Sequence, residues 1–389
     1  MIKGIKNSNI YIENKGIIKS TITFDNEKIS FKEEDGEYLT LDDQYIVLPG
    51  FIDEHIHGCN NHDAMDGNIE DIKIIASSLV QEGVTSFLAT TMTMDNPSIL
   101  KALTSIKDYI ELDNNAGAKV LGIHLEGPFI SPLHAGAQDK KNIVKFDKDL
   151  FSSYLKASNN HIKEVTLAYE ENQNGMVEYL VNNNIVASIG HTDCTSSLLK
   201  KGIEEGITCS THTYNAMRGI HHREIGTVGQ VMLNDNVNCE LICDLHHVSL
   251  DAIKLLFKNK GKDKIILISD SMRAKYLSEG NYTLGGLPVI VKDGTARLHD
   301  GTLAGSILQL NNALKNIQKP LNLTIEEASD LVSKNPSRNL HLDHLIGSIN
   351  EGKYADLTIV DKDFNVYMTI VHGKIYYTNP NFKSIFIII

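Results

Sequence analysis

The chain has 389 residues, 42% of them hydrophobic and 22% charged, with a formal net charge of -12. That length and composition fit a globular protein with room for one large α/β barrel and an accessory piece. The acidic balance, with no Lys/Arg run longer than two residues, argues against nucleic acid as a partner.

The N-terminal stretch "MIKGIKNSNIYIENKG" lacks the apolar centre of a signal peptide, and no stretch approaches the roughly 18 apolar residues that span a bilayer. Residues 1–48 read instead as short strands, "NIYIEN", "GIIKSTITFDNEKISFK" and "QYIVLPG", rich in Ile, Val, Thr and Tyr and broken by Gly, Asn and Asp. "FIDEHIHG" at 51–58 follows. In an extended segment its two histidines, one residue apart, point to the same face. His55 and His57 together suit one metal ion, although two polar residues at a strand-to-loop junction is a reading of equal weight for the pair alone.

Beyond residue 80, short apolar strands alternate with helical patterns. The strands are "GVTSFLATTM", "KVLGIHLEG", "EVTLAYE", "NIVASIGHT", "ITCSTHTYN", "NCELICDLHH" and "KIILISDSM". Helices are expected at 69–82, 97–112, 174–184, 195–205, 250–259 and 324–334, the last opened by a capping box of Thr324 and Glu327. Residues 347–377 return to a strand pattern, and the terminal "IFIII" reads as a strand or a packed tail. Strands alternating with helices imply a parallel sheet. Seven or eight such units fit a (β/α)8 TIM barrel over 51–345, with 1–50 and 346–389 forming a small β-sandwich domain beside it. No G-x-G-x-x-G follows the first strand, so a dinucleotide fold has little support. The five cysteines, Cys59, Cys194, Cys209, Cys239 and Cys243, are odd in number and lack CxxC spacing. Buried free thiols in a reducing cytoplasm are the expectation.

Most of these strands finish on a group suited to metal or acid/base chemistry: His55 and His57, Glu126, His191, His212, His247 and Asp270. A single histidine there is more often a hydrogen-bonded structural group than a ligand, and an Asp after "IILIS" also suits a helix cap. Scattered surface residues would not keep one phase along separate strands, however, and the C-terminal strand ends of a barrel form its active-site face. Imidazoles with a carboxylate form the N/O donor set of zinc or ferrous iron. An ion with an open position lowers the pKa of a bound water, and Asp270 would take that water's proton and return it to a departing amine. The reaction implied is hydrolysis of a C–N bond.

At this point the sequence resembles the amidohydrolase superfamily, and within it the N-acetylglucosamine-6-phosphate deacetylases. The motifs "PGFIDEHIHG", "HLEGPFIS", "IGHTDC", "THTYNAM" with "HHRE" behind it, "ISDSM", "YTLGGLPV" and "GTLAGS" stand in the family's order. The resemblance implies that Glu126, His191 and His212 bind a main divalent metal ion, and that His55 and His57 hold a second ion in members that have one. Asp270 resembles the acid/base, and His124 a structural histidine. Asn215, Ala216, His247, Leu303, Ala304 and Gly305 match the sugar pocket, Ala137 and Gln138 stand in its G-A-Q segment, and Arg223 matches the arginine that binds the 6-phosphate. Two positions depart from the pattern: Leu245 replaces a glycine and Ile225 a proline. The resemblance further implies a homodimer acting on an amino-sugar phosphate. A galacto-epimer deacetylase would use the same machinery. A non-catalytic barrel would have lost ligands that this chain keeps.

Overall fold

Eight strands in chain order make the central sheet: Phe51–Ile56, Val84–Thr90, Lys119–Glu126, Ile162–Leu167, Val186–Ile189, Ile207–Ser210, Asn238–Ile242 and Ile265–Ile268. Each pairs in parallel with the next. In this computed structural model, which describes residues 2–112, 116–383 and 385–388, the first strand closes on the chain just after the eighth. The Asp270 N–H donates to His55 O at 2.9 Å and the His57 N–H to Ser271 O at 3.0 Å. The strands are buried on both faces, as Val84–Thr90 and Ile265–Ile268 are throughout. That is the environment of a parallel sheet wrapped in helices, and the expected (β/α)8 barrel is what forms.

The helices bury one stripe each. In Asn96–Glu111, Ile99, Leu103 and Ile106 face inward at helical spacing, and the Asp95 carboxylate accepts the Ser98 N–H at 3.0 Å to cap the start. The other helices expected in the first 260 residues lie at Ile69–Leu79, Met176–Asn182, Ser196–Glu205 and Leu250–Lys260. The pattern over 324–334 resolves differently. The capping box of Thr324 and Glu327 forms, but the helix is Ile325–Asp330 and a second one restarts at Lys334–Asn339. Pro336 explains the break, because a proline has no N–H for a helical bond to residue 332 and is tolerated only in a first turn. Helices Lys148–Ala157, Gly226–Leu233 and Leu310–Gln318, and a three-stranded sheet of Gly280–Leu284, Leu287–Lys292 and Thr295–Arg297, lie outside the expected set.

The two ends of the chain meet in the small β domain. Ile46–Pro49 pairs antiparallel with Leu357–Val360 and parallel with Gly4–Ile12, within a hydrogen-bonded network of nine strands. Ile5, Ile10, Leu39, Val47, Leu357 and Ile370 form its own apolar cluster, separate from that of the barrel. Ile385–Ile388 is a strand against Glu37–Thr40; Ile389, the end of the "IFIII" run, lies outside the described residues. All five cysteines are buried free thiols. No helix among the described residues is long and apolar enough to cross a membrane.

Candidate active site

The barrel brings six of the predicted groups to one point. Glu126 ends the third strand, His55 and His57 sit at the end of the first, and His191, His212 and Asp270 lie two residues past the fifth, sixth and eighth. His191 Nε2 and His212 Nε2 each stand 3.1 Å from Glu126 Oε1, and 3.1 Å from one another. His57 Nε2 lies 3.4 Å from Glu126 Oε2 and 3.2 Å from Asp270 Oδ1. His55 Nε2 is 3.6 Å from both Glu126 Oε1 and Asp270 Oδ1.

The far side of each ring says which nitrogen is bare. His191 Nδ1 meets the His134 carbonyl at 2.9 Å, and His57 Nδ1 the Thr90 carbonyl at 3.2 Å. Carbonyl oxygens only accept, so both rings carry a proton on Nδ1, and Nε2 is the nitrogen left to offer a lone pair to an ion. His55 Nδ1 likewise meets Glu240 Oε2 at 3.0 Å, while its Nε2 is buried without a hydrogen-bond partner among the described residues. Lone pairs on three imidazoles thus converge on the acceptor oxygens of Glu126 and Asp270. Acceptors packed on acceptors repel, unless protons or a cation lie between them. The donor set, imidazole nitrogen with carboxylate oxygen, is that of zinc or ferrous iron, and the residues present therefore fit a divalent metal ion. Glu126, His191 and His212 form one candidate three-ligand group, and His55, His57 and Glu126 a second that shares Glu126.

In the metal-free site, protons on the imidazoles meet the same demand for positive charge. Burial disfavours the charged form of His55, but Glu240, Glu126 and Asp270 together outweigh it and push His55 up to about 10. Burial works against ionised Asp270 too, yet His55, His57 and His212 hold it down to about 2. Glu126, facing the same burial, is held well below the usual range by His55, His191 and His212. The carboxylates want positive charge at this point and the fold keeps them ionised.

Backbone conformation is unusual at the same residues. His191, His212, Ala216 and Asp270 all have positive φ, at 47°, 30°, 50° and 46°. Such conformations cost on the order of 1–3 kcal/mol each and persist where surrounding contacts hold them. Asp270 is held by His55 O on its N–H and by the Ser306 N–H on its carbonyl, at 2.7 Å. The neighbouring Gly305 is itself at φ 59°, and a Cβ there would come within 3.1 Å of Asp270 O. The glycine lets the Leu303–Gly305 loop approach Asp270 closely.

A chamber of about 330 Å³ opens over this cluster. It is lined by His57, Glu126, Ala137, Gln138, His191, His212, Asn215, Ala216, His247, Asp270, Leu303 and Gly305, all expected from sequence. Met92, Leu133, His134, Gly136, Leu284 and Thr302 complete the wall and were not anticipated. Gln138 is fixed at both ends: its Nε2 donates to Glu126 Oε2 at 2.7 Å and its Oε1 accepts the Thr93 N–H at 2.7 Å. His247 Nδ1 meets Asp244 Oδ2 at 2.6 Å. His55 and Ala304 lie buried just outside the lining. His124, expected to be structural, is buried with its Nε2 2.7 Å from Thr166 Oγ1, and burial pushes it down to about 3.

Three further positions noted in the sequence are placed as follows. Arg223 does not line the chamber; it sits on an exposed loop with its Nη1 2.7 Å from His222 Nε2. Asp270 caps no helix, since the chain after it runs through turns into the three-stranded sheet. Leu245 has left-handed backbone, at φ 66°, with its side chain 41% exposed and outside the chamber lining. Glu240, buried and bonded to His55, was missed altogether.

Comparison with known proteins places these residues in a family. Residues 46–376 match the amidohydrolase family. The chain is 41% identical over 380 residues to N-acetylglucosamine-6-phosphate deacetylase of Bacillus subtilis, covering 95% of this chain and 96% of that protein. It is 32% identical over 338 residues to N-acetylgalactosamine-6-phosphate deacetylase of Escherichia coli O157:H7, covering 87% and 89% of the two. The crystal structure of N-acetylglucosamine-6-phosphate deacetylase from Thermotoga maritima superposes with a TM-score of 0.88 at 36% identity, over 97% of this chain and all of that one. The chain belongs to the amidohydrolase family and is closely related to its N-acetylglucosamine-6-phosphate deacetylases.

Proposed function

We propose that this amidohydrolase removes acetate from N-acetyl-D-glucosamine 6-phosphate, giving glucosamine 6-phosphate. The observation that carries the reading is the convergence of His57, His191 and His212 with Glu126 and Asp270 on the floor of one chamber. The names of the most similar relatives supply the substrate class.

Glu126, His191 and His212 would hold one divalent ion, zinc or iron, with His55 and His57 holding a second. When bound, such an ion supplies a water of near-neutral pKa and a Lewis acid for the amide carbonyl. The chain's own residues do the rest. Asp270 Oδ1, kept ionised by the histidines, accepts the water proton and returns it to the nitrogen of the leaving amine. Gln138 keeps Glu126 from rotating away from the cluster. His247, oriented by the contact of its Nδ1 with Asp244, would face the acetamide oxygen with its Nε2. Asn215, Ala216 and the Leu303–Gly305 loop would hold the sugar.

The described lining of the chamber contains no Lys or Arg. Phosphate therefore calls for a cation from outside it, and Arg223 on its exposed loop is our candidate, since a guanidinium binds phosphate oxygens in pairs. We also read the protein as a homodimer, on the family resemblance, and as cytoplasmic, on its five buried free thiols. Acetate release from the gluco and galacto 6-phosphates, assayed side by side on protein of known metal content, tests the reading. Faster turnover of the galacto epimer would move the assignment to that substrate. Failure on both, with metal bound, would remove the deacetylase reading.

A further inference from the structure

Among the groups outside the chamber, Glu240 stands at a junction that the proposed chemistry leaves unused. It lies on the seventh barrel strand, Asn238–Ile242, fully buried. Its Oε2 meets His55 Nδ1 at 3.0 Å and also accepts the backbone N–H of His212 at 3.0 Å. Its main-chain carbonyl accepts the Thr213 N–H at 2.8 Å. One residue therefore grips a candidate ligand from the first strand and the backbone of a candidate ligand from the sixth. The two ligands belong to different three-residue groups around Glu126.

We propose that Glu240 is a positioning residue that links the two ion positions. By accepting from Nδ1 it fixes the His55 proton there and leaves the Nε2 lone pair for the site. The same oxygen anchors His212 at φ 30°, a conformation that needs a restraint on its peptide N–H. A carboxylate behind an imidazole orients the ring and raises its basicity as a ligand. Here a single oxygen does this for one ligand and pins the backbone of another, so neither position is independent of the other.

The inference rests on the metal-site reading above, and zinc alone is a sufficient probe. Zinc affinity is measured by chelator competition on wild type, Glu240→Gln, His55→Asn and the double variant, with the thermal midpoint of each metal-free protein. Glu240→Gln should weaken zinc binding about 10- to 100-fold, the usual range for losing such an outer partner. Its further effect in the His55→Asn background should be smaller, because His55 is one of the two groups it holds. Unchanged affinity with a lowered metal-free midpoint would mean a purely structural role and overturn the proposal. So would equal losses in both backgrounds. Wild type that binds no zinc would instead sink the metal-site reading itself. Should Glu240→Gln not fold, zinc-loaded wild type labelled with 15N-histidine decides. A far-downfield, slowly exchanging Nδ1 proton that vanishes in His55→Asn is expected, and its absence overturns the proposal.

Discussion

The Nε2 atoms of His191 and His212 lie 3.1 Å apart, each facing the same oxygen of Glu126. Because His191 carries a proton on Nδ1, Nε2 is the nitrogen it turns toward that oxygen, and positive charge must sit among these atoms. In metal-free protein protons take that role, which is why the carboxylates hold His55 up at about 10. Zinc must displace those protons, so binding releases them and affinity should fall as pH falls. Chelator competition at about pH 6 and about pH 8 should show clearly weaker binding at the lower value. An affinity that does not change with pH would mean that zinc binds elsewhere.

The second group, His55 and His57 with Glu126, predicts the count. Zinc-saturated protein should carry close to two ions per chain, falling toward one in His55→Asn/His57→Asn. Elemental analysis after gel filtration measures it. A wild-type count of one under metal excess would leave His55 and His57 as supporting groups for a single ion.

Much of this was legible in the chain because strand period and strand ends are local properties. "FIDEHIHG", "HLEG", "IGHT" and "STHT" each put a ligand type directly after an apolar run, and the barrel rule gathers such ends on one face. Glu240 was not legible for the opposite reason. In "NCELIC" a lone Glu inside an apolar strand has no local signature, and its partners come from residues 55 and 212. Helix Gly226–Leu233 was hidden by Gly226 and Gly229, which lower helix propensity by about 1 kcal/mol each, while burial of Val228, Val231 and Met232 holds it. Helix Lys148–Ala157 did carry a signal: Phe151, Tyr154 and Leu155 are spaced to share one face behind the capping Asp147.

Leu245 yields a stability prediction. At φ 66° a leucine carries a left-handed strain of roughly 1–2 kcal/mol. Glycine relieves it at an entropic cost of about 0.5–1 kcal/mol. Leu245→Gly should therefore be neutral to about 1 kcal/mol more stable, with KM unchanged because the side chain does not line the chamber. Denaturant unfolding and steady-state kinetics check the two halves; a raised KM would show that Leu245 touches the substrate.

Arg223→Ala tests the phosphate contact. It should raise KM for the 6-phosphate by the equivalent of up to about 1 kcal/mol, the range for an ion pair on an exposed loop. Activity on unphosphorylated N-acetylglucosamine should barely change. Equal losses on both substrates would assign Arg223 to the fold or to a subunit contact.

Asp270 carries the proton-transfer prediction. Its Oδ1 lies 3.2 Å from His57 Nε2 and lines the chamber, and no helix begins behind it for the carboxylate to cap. Asparagine keeps the shape and the backbone contacts to His55 and Ser306, but it cannot accept and return a proton. Asp270→Asn should therefore fold, retain most of its metal, and lose at least about 10²-fold in kcat, the low end for a positioned acid/base. Burial opposes ionised Asp270, and the histidines overcome it to hold the carboxyl at about 2 in the metal-free protein. A group whose pKa is lowered in the folded state stabilises the fold above its unfolded value, near 4, and that contribution disappears as pH falls through about 2. The metal-free wild type should thus lose more stability than Asp270→Asn across the window from about pH 5 down to about pH 2. Measuring kcat, bound metal and acid unfolding on both proteins separates the roles. Near-normal turnover at full metal occupancy would take Asp270 out of the mechanism, whatever its effect on the acid limb.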